Sequence, residues 1–200
     1  MDSDLGGAMK HLMILIGMIG MIGCDEYSQY IESLDEGLII RNGVELHVTK
    51  LPITISCDED FDCQAVRNSI QWWQDEFDRH WPVWHDEREM YAITPFDAPQ
   101  IFEIVDGTAM VRVEEYPLPM TKGGVSSIEY TEDGRILSTL IMMNEGVWDR
   151  WMLNHEIGHS FGLEDDPKSL DLNSIMASPV IPYSNLTEHD AYEALKYVWE

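Results

Sequence analysis

The feature that most constrains this chain is a pair of histidines four residues apart, His155 and His159, with Glu156 directly after the first. On an α-helix, residues at i and i+4 lie on the same face, so both imidazoles can bind one metal ion at about 2 Å. Glu156 would lie beside the ion without ligating it, where a general base is needed. We therefore expect a metal site on a helix.

The residues after His159 extend this pattern. Gly162 follows three residues later, where a left-handed glycine would end the helix and turn the chain back toward the metal. Asp165 would then supply a carboxylate oxygen as the third ligand. The other acidic residues of 164–166 remain alternatives for this role, and His189 is a more distant one. Three protein ligands leave one position open, which is typical of a catalytic zinc site.

The segment His155–Asp165 resembles the signature of the metzincin metalloproteases, H-E-x-x-H-x-x-G-x-x-H, in which a minority of members have Asp as the last residue. Met176, within Ser-Ile-Met, looks like the methionine turn that metzincins carry beneath the metal. Over residues 44–200 the chain looks most like the matrixins. The resemblance implies a zincin fold with one catalytic Zn²⁺, and an endopeptidase that hydrolyses peptide bonds by a metal-activated water with Glu156 as general base.

The same resemblance gives roles to two further segments. Residues 125–131 would form the edge strand above the cleft, against which an extended substrate peptide gains main-chain hydrogen bonds. Residues 178–186 would form the wall of the pocket that receives the side chain after the cut. The chain departs from some metzincins in having Ser178 two residues after Met176, where those proteins have a tyrosine ligand.

The residue patterns predict a single α+β catalytic domain. β-Branched or alternating runs predict strands at residues 44–56, 101–105, 110–116, 125–131 and 136–143. Helical periodicity and capping signals predict helices at about residues 61–79, 146–161 and 187–198. Residues 80–99, with three prolines, are typical of an irregular connection. With the metzincin resemblance, this order implies a twisted mixed sheet with an active-site helix, a backing helix and a C-terminal helix.

The N-terminus indicates export. The uncharged run Leu12–Gly23 would span about 18 Å as a helix, too short to cross a bilayer but typical of a signal peptide. Met21–Cys24 resembles the bacterial lipobox, although its first residue is usually leucine. We predict a signal peptide over 1–24, lipidation of Cys24 and an acidic tether over 25–43; an ordinary cleaved signal or a short anchor remains open. The protein would be a lipoprotein of the cell envelope or surface, and otherwise secreted.

The remaining cysteines, Cys57 and Cys63, form an even pair. An exported, oxidising setting favours a disulfide between them. A zinc role is less attractive, since no other cysteine or nearby histidine completes a set of four ligands.

The charge of the chain bears on its partners. Its 37 acidic and 12 basic residues give a formal net charge of −25 at pH 7, and no Lys/Arg cluster is present, so we expect no nucleic-acid binding. The carboxylates are compatible with structural Ca²⁺, although no loop has the spacing of a recognised calcium motif.

Two other functions stay open beside an endopeptidase that acts as a monomer on a peptide or protein. One is a surface lipoprotein that binds metal without catalysis, and the other is an exopeptidase or narrow processing enzyme of the same fold. Glu156 favours catalysis, because a purely structural metal site has no use for a base.

Overall fold

A computed structural model describes residues 38–87, 99–119, 122–165, 174–177, 180 and 182–198. The predicted signal peptide, Cys24, most of the predicted tether and Asp166 lie outside these ranges, as do residues 178, 179 and 181 of the predicted pocket wall. Within the described part of the chain, no helix has the length and apolar character needed to cross a membrane.

The described elements form an α+β domain. In chain order they are β1 Ile40–Arg41, β2 Val44–Glu45, β3 Ile53–Cys57, α1 Cys63–Glu87, β4 Phe102–Ile104, β5 Val111–Glu115, β6 Gly124–Tyr130, β7 Ile136–Met143, α2 Arg150–His159 and α3 Glu188–Leu195. A five-stranded sheet has the order β4-β3-β5-β7-β6, in which β6 is antiparallel to β7 and the other neighbours are parallel. Strands β1 and β2 form a separate antiparallel pair. The sheet is therefore mixed, as expected.

The core joins α1 to α2 through large aromatic side chains. Trp73 of α1 is fully buried, and its ring centroid lies 5.4 Å from that of Phe161, just after α2. The Trp73 Nε1–H also donates a hydrogen bond to the Asn154 carbonyl oxygen at 3.2 Å. At the N-terminal end of α1, a disulfide joins Cys57 of β3 to Cys63, with their Cα atoms 5.7 Å apart. Helix α1 is thus fixed both to the sheet and to the helix that carries the predicted metal site.

The four strands predicted after residue 100 are confirmed, but the first predicted strand, 44–56, is wrong as a single element. Asn42 and Gly43 both have positive φ, so the chain turns there and β2 pairs with β1. The following His47 exchanges backbone hydrogen bonds with Gly134 and Ile136 across the β6–β7 turn. Only Ile53–Cys57 enters the main sheet.

Two predicted helix boundaries are wrong by four residues or more, and the last helix ends at Leu195 instead of about residue 198. Helix α1 continues to Glu87, so the first part of the predicted connection 80–99 is helical; the φ fixed by Pro82 is compatible with a helix, at the cost of one hydrogen bond. Helix α2 begins at Arg150 instead of residue 146, because the Asp149 side chain caps it by accepting hydrogen bonds from the N–H groups of Trp151 and Met152.

The domain begins before residue 44, where the sequence placed its boundary with the tether. Leu38 and Ile39 are each only 3% exposed. The Ile39 N–H donates to the Gly162 carbonyl oxygen at 2.6 Å, and Leu38 forms a β-bridge with Leu163. This N-terminal segment therefore packs on the turn that follows α2.

Candidate metal centre

Helix α2 presents His155 and His159 side by side, with ring centroids 4.8 Å apart and both residues buried. The His155 Nδ1 lies 2.9 Å from the Ile175 carbonyl oxygen, and the His159 Nδ1 lies 2.7 Å from the Leu163 carbonyl oxygen. A carbonyl oxygen only accepts, so each Nδ1 carries a proton and donates it. Nε2 is thus the ring nitrogen through which each histidine would bind a metal, once it carries no proton.

The turn after α2 requires a glycine at position 162. Gly162 has a φ of +91°, in the left-handed region that the sequence predicted for it. A Cβ at this position would also overlap with the backbone carbonyl of Leu46. The tight turn lets the chain double back beneath the N-terminal segment, so that residues 163–165 return toward the histidines.

Asp165 lies at the end of this turn. Its Oδ1 is 2.9 Å from the His155 Nε2 and 3.4 Å from the His159 Nε2. The ligand atoms of the three side chains all lie within 4.8 Å of one another. The structure thus brings together the three predicted ligands, whereas Glu164 and the exposed His189 of α3 do not join the cluster among the described residues.

The charges within this cluster depend on one another. Burial disfavours a charge on His159, but the hydrogen bond and negative charge of Asp165 outweigh it and raise the His159 pKa to about 9. Burial likewise opposes ionisation of Asp165, yet hydrogen bonds from both histidines hold its pKa far below the ordinary range. The metal-free cluster therefore favours an ion pair, and a bound cation would take the place of the shared proton.

The predicted methionine turn lies directly beneath α2. Met176 is buried, and its Sδ fills the space that a Cβ on Gly158 would occupy. The Ser174 hydroxyl oxygen accepts a hydrogen bond from the Met176 N–H at 3.0 Å and donates one to Asp190 at 2.9 Å. Because Ile175 of the same turn accepts the Nδ1 proton of His155, this turn orients a predicted metal ligand.

The Glu156 side chain contacts strand β6 and is not part of the ligand cluster. The Ser126 Oγ lies 2.6 Å from the Glu156 Oε2, and both residues are buried. A Cβ on Gly124 would lie 2.8 Å from both the Cγ and the Oε1 of Glu156. Neither contact is predicted from the sequence, where the one related signal is the predicted position of this strand above the cleft.

Strand β6 is the last strand of the sheet order, and its Ser126 contacts Glu156. The Gly123 carbonyl oxygen accepts a hydrogen bond from the Asn144 N–H at 2.8 Å, on the β7 side. Because successive residues of an antiparallel strand face opposite neighbours, the backbone N–H and C=O groups of Gly124 and Ser126 point to the outer edge. That edge can therefore accept a further extended chain beside Glu156.

The described part of the predicted pocket wall includes an exposed aromatic side chain. Tyr183 is 78% exposed, and its ring centroid lies 5.5 Å from that of Trp151. Trp151 precedes His155 by one helical turn. Tyr183 of the predicted wall therefore contacts α2 one helical turn before His155, a predicted metal ligand.

These residues have the chemistry needed for metal-assisted hydrolysis. Two imidazole nitrogens and one carboxylate oxygen could together hold a metal ion, and this combination of ligands is one that catalytic zinc sites use. A fourth side chain, Glu156, is not part of this group and is hydrogen-bonded to Ser126. No protein-family model and no curated protein matches the chain.

Proposed function

We propose that the protein is a zinc-dependent endopeptidase with a metzincin-like, matrixin-type fold. His155, His159 and Asp165 hold the metal, and Glu156 is the general base. The observation that carries the proposal is the buried carboxylate of Glu156, which is hydrogen-bonded to Ser126 and is not part of the ligand cluster. A site that only stores metal has no need of a buried carboxylate kept beside the ligands.

The ligand set supports zinc as the metal. Imidazole nitrogens suit zinc and other late transition metals, whereas magnesium and calcium prefer sites made entirely of oxygen. The carbonyl oxygens bonded to both Nδ1 atoms fix each ring in the tautomer and orientation that ligation requires. When bound, zinc supplies Lewis acidity for the reacting water and the scissile carbonyl.

The chain itself supplies proton transfer and substrate positioning. Since the Oε2 of Glu156 accepts from Ser126, Oε1 is the oxygen left to take a proton from the attacking water and pass it to the leaving amine. A substrate peptide that pairs with the outer edge of β6 would lie with its backbone beside this carboxylate. Attachment to the cell envelope through Cys24, and action as a monomer, remain predictions.

The first test is cleavage of an unfolded protein by the zinc-loaded full-length chain. We expect a chelator to abolish cleavage and Glu156→Gln to lower kcat/KM by at least about 100-fold, because the general base is lost. Metal analysis of this variant should still give about one zinc per chain, since Glu156 is not a ligand. Glu145→Gln, which removes the same charge from an exposed position before α2, is the matched control and should behave as wild type.

Two results would contradict the proposal in different ways. Cleavage that survives Glu156→Gln would eliminate the mechanism with Glu156 as base. A wild-type protein that binds zinc tightly but cleaves nothing would favour the non-catalytic metal-binding protein of the same fold.

A further inference from the structure

We propose that Ser126 of strand β6 is the positioning residue for Glu156; the proposal rests on the endopeptidase function above. Ser126 is only 4% exposed, and its Oγ lies 2.6 Å from the Glu156 Oε2 and 3.2 Å from the Glu156 backbone oxygen. The hydroxyl has one proton, and the shorter separation assigns it to the carboxylate. Hydrogen bonds to an ionised acceptor are shorter and stronger than neutral ones, so this contact holds the side chain in one orientation.

Gly124 also contributes to the position of the Glu156 carboxylate. It precedes Ser126 by two residues and therefore faces the same side of the strand. A side chain there would begin 2.8 Å from the Glu156 Oε1, so the absence of one leaves that oxygen room beside the strand. The base is thus held at one oxygen by a hydroxyl and kept unobstructed at the other by a glycine.

The side chain and the backbone of Ser126 point in different directions. Its hydroxyl points inward to Glu156, while its backbone N–H and C=O groups point to the outer edge where substrate would pair. Removing the hydroxyl therefore leaves the backbone edge intact. We expect the loss to appear in kcat, which depends on the orientation of the base, and to leave KM nearly unchanged.

The test compares two β-branched substitutions of the same size. Ser126→Thr keeps the hydroxyl, whereas Ser126→Val replaces it with a methyl group, so any cost of fitting the extra branch is common to both. We expect Ser126→Val to lower kcat about tenfold relative to Ser126→Thr, with KM values within about twofold. Ser126→Ala, which adds no atoms, should show the same loss of kcat relative to wild type. Ser127→Ala, on the opposite face of the strand, is the matched control and should keep wild-type kcat.

A second readout does not depend on activity or on metal. In the metal-free protein, the ¹³C carboxyl resonance of Glu156, identified by its loss in Glu156→Gln, should move in Ser126→Ala and Ser126→Val. It should stay in place in Ser127→Ala, and in Ser126→Thr it should stay closer to wild type than in Ser126→Val. Zinc content and melting temperature, measured on the same samples, separate this effect from a loss of folding.

The outcomes distinguish the two proposals. Equal kcat values for the Thr and Val variants, with Ser126→Ala at wild-type kcat, would overturn the role of Ser126, while the endopeptidase function would stand as long as Glu156→Gln is inactive. An unmoved carboxyl resonance in Ser126→Ala would overturn it as well. If the wild-type protein does not cleave, both proposals fail together.

Discussion

The two histidines of the proposed metal site and the proposed general base occupy one short stretch of α2, yet different parts of the molecule hold them. His155 and His159 are oriented by the backbone carbonyl oxygens of Ile175 and Leu163, in turns that follow α2 along the chain. Glu156 is oriented from the opposite side by a hydroxyl group of strand β6. The two histidines thus depend on main-chain atoms, whereas Glu156 depends on a side chain.

This difference implies that the two halves of the proposed site respond differently to mutation. The ligand half consists of His155, His159 and Asp165, and the base half consists of Glu156 and the β6 residues that contact it. A carbonyl oxygen is present whatever the side chain, so the ligand half is sensitive mainly to the path of the backbone, which Gly162 fixes. The base half is sensitive to the identity of Gly124 and Ser126, even when the backbone does not move. Substitutions in the ligand half should therefore change stability and metal binding, and those in the base half should change rate.

The largest effect is expected from Gly162→Ala. Alanine is strained at a φ of +91°, and its Cβ would overlap with the Leu46 carbonyl, so we expect a loss of roughly 3 kcal/mol or more in the free energy of unfolding, together with weaker zinc binding. Gly107→Ala is the matched control, because its φ is +94° but no atom lies within 4 Å of the added Cβ. For Gly107→Ala, urea denaturation should show a loss of only about 1–2 kcal/mol in the free energy of unfolding. Equal losses in both variants would mean that the close approach of Gly162 to Leu46 is unimportant.

A smaller effect, on rate instead of stability, is expected from Gly124→Ala. Gly124 lies in an extended strand, where alanine can adopt the backbone, but its Cβ would lie 2.8 Å from the Glu156 Cγ and Oε1. The base must then move against its hydrogen bond to Ser126, and we expect kcat to fall about tenfold, equivalent to about 1.4 kcal/mol. Zinc content, measured on the same protein, should remain near one per chain.

The control for this variant is Val125→Ala, on the neighbouring position and the opposite face of β6. It should leave kcat within about twofold of wild type. If Gly124→Ala instead binds less zinc, and its zinc-bound molecules have the wild-type kcat, the division between the two halves of the site is wrong.

The parts of the site that could be predicted from the sequence are those encoded over short distances. His155, His159, Gly162 and Asp165 lie within eleven residues, and helix periodicity and a left-handed glycine are local properties. The contact of Ser126 with Glu156 spans 30 residues, and no local pattern distinguishes this serine from its neighbour on the strand. Long-range pairing had to be seen in the structure.

The same reason explains the errors in the fold. The acidic sequence before residue 44 is typical of a tether, yet Ile39 forms a hydrogen bond with Gly162, more than 100 residues later. Pro82 is typical of a helix end, yet α1 continues through it to Glu87. In contrast, Ile136–Met143 was predicted with its observed bounds, because its turn signal and β-branched residues are adjacent in sequence.

The smallest expected effect is the pH dependence of the stability of the metal-free protein, which arises from the ligand half of the site. Burial would lower the pKa of His159, but Asp165 raises it from 6.5 to about 9, so the charged histidine stabilises the metal-free fold. That contribution is fully present below pH 6.5 and is lost as the pH rises through about 9. The pKa of Asp165 is lowered, so its contribution is present above its ordinary pKa of 3.8 and is lost as the pH falls through the lower, folded-state value.

Urea denaturation in the presence of a chelator can measure this dependence at pH 6 and pH 10. Asp165 is half exposed, so solvent weakens its interactions. Between pH 6 and pH 10, we therefore expect the free energy of unfolding of the metal-free wild type to fall by only about 1 kcal/mol more than that of Asp165→Asn. Glu145→Gln removes an acidic charge from an exposed site and should keep the wild-type dependence. If Asp165→Asn and wild type lose equal stability, the histidine and carboxylate do not share a proton in the metal-free cluster, and only the backbone carbonyls preorganise the ligands.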